Sequence, residues 1–220
     1  MSNKAPIALI LGAGANTGAA VSKAFSDNGY RIALAARSAD PEKDSASELH
    51  IPVDLSIPTT VQRVLTLVKA VWGTPSVVIY TCASNTMDIA SNPLGVSLDA
   101  FMEDLNINVN SVYAAIQEAL KGFLELPSPA SRTFILTGNA FNTSAFPPLL
   151  TLGVGKAASA HLIDYASKTY TMTGCKYAWT GVNGYAAGKF YFKLAESKSQ
   201  GVWQQTYTNK GEFKIFSQFI

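Results

Sequence analysis

Two hydrophobic rhythms alternate along this chain. PIALIL at 6–11, RIALAA at 31–36 and SVVIYTC at 76–82 are continuous apolar runs of strand length, and RTFILTG at 132–138 repeats the type. Between them, apolar positions three and four apart predict helices over 17–28, 59–71, 98–126, 154–170 and 185–195. A short strand is expected at IPVD, 51–54, and a weaker one at CKYAW, 175–179. Strands that are apolar throughout, rather than alternating, belong to a parallel sheet covered on both faces, so the pattern predicts βαβ units of an α/β fold. The tail from residue 201 mixes Trp, Tyr and Phe with β-type alternation and reads as an added edge strand with aromatic anchors.

Length and composition narrow the class. A chain of 220 residues, 48% hydrophobic and 15% charged, suits one globular domain with a sizeable core. Seventeen basic against fifteen acidic residues leave +2, too balanced for a nucleic-acid or anionic-membrane surface, so a small-molecule partner is expected. Two cysteines, Cys82 and Cys175, lack metal-site spacing and form no disulfide framework. The N-terminal apolar run of about six residues is far short of a membrane span, and no signal-peptide pattern accompanies it, which leaves a cytoplasmic protein as the expectation.

Candidate chemistry begins at LGAGANTG. Gly12, Gly14 and Gly18 lie between the first strand and first helix, where a dinucleotide-binding turn brings its backbone against a pyrophosphate at a helix N-terminus. The alternative is a tight strand-to-helix connection without ligand. After the second strand stand Arg37 and Ser38 rather than an acidic residue; a cation and a hydroxyl suit a 2′-phosphate and favour NADP over NAD, against a solvated surface arginine. Asp54 at the end of IPVD is placed to accept from an adenine amino group or to cap the following helix, as is Ser56 for the cap.

GAGANTG, ARS, VDL, LNINVNSVYAAIQ, ILTGN and GKAASA occur in the order seen in short-chain dehydrogenases/reductases, and over residues 6–175 the chain resembles that family. In wording, LGAGANTG, LGVGKAASAHLI and WQQT also resemble a little-described fungal subgroup of it. The resemblance implies a Rossmann-like, doubly wound three-layer αβα sandwich in a single domain, with a short C-terminal lid and tail, binding NADP(H). It implies cofactor contacts from Gly12, Gly14, Asn16, Thr17 and Gly18 in the turn. Further contacts are implied for Arg37, Ser38, Asp54, Leu55, Cys82, Ala83 and Lys156. Departures are visible: Leu11 and Asn16 replace a threonine and a glycine of the turn, TCAS at 81–84 replaces NAG, and no Pro-Gly follows the sixth strand. Asn16 tolerates left-handed backbone, which would preserve the turn.

The family's catalytic positions fall on Asn108 and Lys156, both matched, and on Asn139 and Leu152, where serine and tyrosine are missing. By resemblance Lys156 hydrogen-bonds the nicotinamide ribose; the alternative is a helix-start lysine snorkelling to solvent. Leucine cannot give the proton that accompanies hydride transfer. Asn139 can polarise a carbonyl without protonating it, Asn142, Thr143, Ser144, Tyr113 and Lys156 are substitute candidates, and an iminium substrate needs no acid. His161, among Ala157, Ala158 and Ala160, reads as a helix-packing residue, and the resemblance implies a homodimer or homotetramer through the helices at 98–126 and 154–170. Three functions are open: an NADP(H)-dependent reductase of a small carbonyl or imine, an NADP-binding protein with a non-redox reaction, and a non-catalytic cofactor-binding protein.

Overall fold

In β1, Ile7, Leu9 and Leu11 join one hydrophobic cluster while Ala8 and Ile10 join another, so a strand without polar positions is buried on both sides. The computed structural model describes residues 5–89, 91–92, 94–170, 176–180 and 184–214. β1 (Ile7–Leu11), β2 (Arg31–Ala36), β3 (Glu48–Pro52), β4 (Val77–Tyr80), β5 (Thr133–Thr137), β6 (Lys176–Thr180) and β7 (Gln204–Gln205) form one sheet in the order β3-β2-β1-β4-β5-β6-β7. Every neighbouring pair is parallel. This is the doubly wound α/β domain expected. The order reverses between β1 and β4, whose ends meet at Leu11 and Tyr80, and a crevice at that switch point is where such sheets take ligands.

One face carries α2 (Thr60–Val71), α4 (Ser111–Glu125) and α5 (Leu150–Thr169); the other carries α1 (Thr17–Ser26) and α6 (Gly184–Glu196). Tyr207, just beyond β7, stacks on Phe190 of α6 with ring centroids 4.7 Å apart, so the tail supplies both an edge strand and an aromatic anchor. Residues 181–183, where the lid reading falls, lie outside the described residues. Among the described residues, no helix is long and apolar enough to cross a membrane.

Two elements differ from the expectation in ways that matter for the site. The helix at 98–126 divides into α3 (Leu98–Leu105), a π turn over Asn106–Asn110, and α4. Buried Tyr80 donates to the carbonyl of Ile107 within that turn at 2.6 Å, compensating a group that the wider turn releases. α5 starts at Leu150 instead of residue 154. Gly153 and Gly155 argue against helix by propensity, but a Cβ at Gly155 would lie 2.5 Å from that of Asn108, so close packing on the π turn demands glycine there.

Candidate active site

The glycine turn is built by the ends of β1 and β4. Gly12 has φ +88°, a region that favours glycine, and a Cβ there would lie 2.5 Å from the backbone nitrogen of Cys82. Thr81 donates its backbone N–H to Leu11 and its hydroxyl to the Gly12 carbonyl, at 2.8 and 2.6 Å, which ties the turn to β4. A Cβ at Gly18 would meet the Ala13 backbone at 2.8 Å, so this glycine closes α1 onto the turn. Gly14 would meet nothing nearer than 3.9 Å, and its missing side chain leaves room on the open side. Asn16 precedes α1 with φ −96°, so the turn needs no left-handed residue there; this corrects the reason given for its tolerance.

A cleft of about 290 Å³ opens beside the turn. Gly12, Gly14, Arg37, Ser38, Asp54, Leu55, Cys82 and Ala83 all line it, joined by Ser84, Glu103 and Ile107. Asn16, Thr17 and Gly18 do not line it: Thr17 opens α1, and Gly18 packs behind the turn. Exposed Arg37 stands at the end of β2, close enough for its charge to act on both Asp54 and Cys82, though burial outweighs it at Cys82 and raises that thiol's pKa. Asp54 accepts from the Ser56 backbone N–H at 2.9 Å, and this bond, more than Arg37, holds its carboxyl below the usual value. The residue capping α2 is Thr59, so neither Asp54 nor Ser56 takes that position. Glycines without Cβ atoms, a cation beside a hydroxyl and a carboxylate at the rim fit an adenine dinucleotide carrying a 2′-phosphate.

The expected catalytic positions gather where the π turn, α5 and the end of β5 meet. Asn108 is 2% exposed and binds the backbone of Ser84 twice, accepting from its N–H at 3.0 Å and donating to its carbonyl at 2.8 Å. Lys156 is 4% exposed, seven residues into α5, and donates to the Thr137 carbonyl at 2.9 Å. The solvent-snorkelling alternative is therefore excluded. Burial lowers its pKa to about 8, opposed by the nearby Cys82 thiol, while burial raises the pKa of Cys82 itself. Thr137 is fixed in turn by a 2.8 Å hydrogen bond between its hydroxyl and that of Tyr191.

Leu152 lies one turn before Lys156, half-buried, on the same side of the helix. Asn139 caps the short turn Ala140–Asn142 by accepting from the Phe141 N–H at 3.0 Å, which occupies its oxygen locally. Thr143 and Ser144 are exposed in the following loop. Tyr113 is 54% exposed and absent from the buried face of α4, so it is no substitute donor. His161 is exposed on α5, so it is not buried between helices of this chain. A larger hollow of about 460 Å³ lies alongside, walled by Phe141, Asn142, Phe146, Leu150 and Val154. Leu152, Lys156, Asn108 and Asn139 line neither this hollow nor the smaller cleft, although Lys156 was expected among the cofactor contacts; Asn108 reaches the smaller cleft through its bonds to Ser84, and Lys156 through its neighbour Cys82.

Sequence reasoning missed the acidic post beneath this site. Asp104 on α3 is 3% exposed and accepts from the Ser84 hydroxyl at 2.5 Å and from the Thr86 N–H at 2.6 Å. Burial alone would raise its pKa, but bonds from Ser84, Thr151 and Thr86 prevail and hold it below 3.8. The available signal was spacing: Asp104 and Asn108 are four residues apart on one helix, and both seize the loop after β4. Because the folded value is the lower one, this stabilisation is present above about pH 4 and disappears as pH falls through the folded value. Asp104→Asn is expected to cost about 1–3 kcal/mol at pH 7. Denaturant unfolding at pH 7 and pH 3 checks this: the gap from wild type should narrow on acidification, and a gap independent of pH would count against the ionic role.

The sequence profile of the family described as Enoyl-(Acyl carrier protein) reductase matches residues 12–177. The chain is 41% identical over 225 aligned positions to the short chain dehydrogenase/reductase dmxR12 of Cryptosporiopsis sp. (strain 8999), covering 92% of this chain and 91% of that protein. Among solved structures, a short-chain dehydrogenase/reductase from Serratia marcescens superposes with a TM-score of 0.75 at 16% identity, covering 94% of this chain and 97% of the other. ElxO with NADP bound gives 0.70 at 18% identity, covering 81% and 74%.

Proposed function

This chain belongs to the short-chain dehydrogenase/reductase family, an oxidoreductase family, and from that premise we propose that it is an NADP(H)-dependent reductase of a small carbonyl or imine. The observation that carries the reading is the convergence of Gly12, Gly14, Arg37, Ser38 and Asp54 on one cleft, with Cys82 in its wall close to the buried Lys156. The name of ElxO with NADP bound supports the choice of cofactor by analogy of fold. When bound, a reduced nicotinamide supplies hydride. Gly12 and Gly14 let the backbone approach the pyrophosphate, and Arg37 and Ser38 hold the 2′-phosphate. Lys156 holds the nicotinamide ribose. Asn108 fixes Ser84 and so the wall of the cleft.

Arg37→Asp tests the phosphate assignment. Removing a charge-assisted contact is worth on the order of 10–100-fold in NADPH affinity. Titration of the variant with NADPH and NADH is expected to show that loss for NADPH alone; an unchanged ratio of affinities would remove the basis for NADP.

We also propose that two copies associate through the outer faces of α4 and α5. Tyr113 and Leu124 on α4, and Val154 and Tyr165 on α5, are each 40–62% exposed, an apolar allotment that a second copy would cover. Sedimentation equilibrium reads the outcome directly, and a monomer at micromolar concentration would refute it.

A further inference from the structure

We propose that the hollow between α5 and the turn Ala140–Asn142 is the substrate site, and that it takes a neutral, planar aromatic carbonyl compound bearing a phenolic hydroxyl. The proposal rests on the reductase reading above and gives that reaction its substrate class.

The position of the hollow carries the first half of the inference. Phe141 and Asn142, which follow residue 139, form one wall, and Leu150 and Gly153, which flank residue 152, form another. The hollow therefore adjoins both positions where the expected catalytic side chains are replaced. The loop after β4 joins it to the cofactor cleft: Cys82, Ala83 and Ser84 line the cleft, and Asp88 lines the hollow. That loop is fastened to both walls, since the Asp88 N–H donates to the Pro148 carbonyl and the Thr86 N–H to the Thr151 hydroxyl, each at 3.2 Å.

The lining selects the ligand. The walls are mainly apolar, and about 460 Å³ suits a molecule of about two or three fused rings. Phe141 and Phe146 stack with centroids 5.6 Å apart and planes 23° apart, and Phe146 is 59% exposed, so a further flat ring can join the stack. In the same wall the Asn142 side-chain oxygen is buried without a hydrogen-bond partner, a cost that a ligand hydroxyl removes by donating to it. Asp88, the one charged residue among the described lining residues, is acidic and disfavours carboxylates and phosphates. The hydroxyl thus meets Asn142, the rings lie on Phe146, and the carbonyl end lies toward residues 139 and 152.

Calorimetric titration of the protein with 2-naphthol, its methyl ether 2-methoxynaphthalene and its saturated counterpart 2-decalol tests the site without turnover. 2-Naphthol should bind about 5–100-fold tighter than the ether, which lacks the donor. Over the decalol, which is not flat, the gain should be about 3–10-fold. Asn142→Leu, close in volume, should erase the first preference, and Phe146→Ala, at an exposed position, the second. If Asn142→Leu does not fold, Gly153→Leu decides: a Cβ there meets nothing nearer than 3.8 Å, leucine favours helix, and the added side chain should abolish binding. With NADPH, 6-hydroxy-2-acetonaphthone should be reduced, 2-naphthol should compete with it, and Phe146→Ala should raise KM with kcat little changed. Equal affinity for 2-naphthol and its ether overturns the proposal, as does binding indifferent to both Asn142→Leu and Gly153→Leu, or inhibition that is not competitive. Carbonyl reduction without 2-naphthol binding defeats the site and leaves the reductase reading standing. Specific 2-naphthol binding without NADPH oxidation by any aldehyde, ketone or imine defeats the reductase reading, and the substrate role with it, while the aromatic site stands.

Discussion

Leu152→Tyr together with Asn139→Ser is expected to raise carbonyl reduction by roughly 10²-fold or more. Leu152 stands one helical turn before Lys156, so a phenol there would share a face with the lysine. A cation at that spacing lowers a phenol's pKa and readies it to donate. Asn139→Ser makes room while keeping an oxygen to cap Ala140–Asn142. The readout is NADPH oxidation with 4-nitrobenzaldehyde across pH. Recovery would show that the missing chemistry is a proton and that placement of hydride and carbonyl is intact. No recovery in a folded, NADPH-binding protein would place the defect in substrate positioning.

The second large effect concerns folding. Gly12→Ala is expected to cost about 3 kcal/mol, because a side chain at φ +88° is strained and its Cβ would press within 2.5 Å of the Cys82 backbone. The obstacle is main chain, held by the hydrogen bonds of Thr81 to Leu11 and Gly12, so relief requires moving the end of β4. For a chain of 220 residues this corresponds to a fall in Tm of roughly 6–12 °C, with NADPH affinity lost in parallel. Thermal unfolding followed by circular dichroism checks it, and an unchanged Tm would mean that the turn is not built as described.

The fold was legible wherever burial left an uninterrupted apolar run. β1 and β4 are apolar, and β5 is apolar between its terminal threonines, because both faces are covered, and that pattern points to a parallel sheet. β3 was harder: His50 and Glu48 lie in it, half-buried towards the sheet's edge, and the strand begins three residues before the run IPVD. The start of α5 was hidden by Gly153 and Gly155, whose propensity argues against helix while packing on Asn108 requires small residues.

The lining of the candidate cleft was largely readable, since a glycine turn at the end of β1 and an arginine at the end of β2 depend on sequence position within a known topology. Lys156 could be found but not its burial, because solvent exposure of a lone lysine depends on what covers it. Asp104 went unnoticed for the same reason: a carboxylate on a helix looks solvated until the Ser84–Thr86 loop is folded over it. The π turn over Asn106–Asn110 left a trace in three asparagines at alternate positions, poor residues for a regular helix interior, but tertiary bonds decide how such a trace resolves.

The central claim is that this cleft is an NADP(H) site serving reduction. Calorimetric titration of the purified protein with NADPH, NADP, NADH and NAD tests it most directly. The account predicts binding of the two phosphorylated forms at least tenfold tighter than their counterparts, in keeping with the Arg37 contact. Equal affinity for all four, or binding of none, would contradict it.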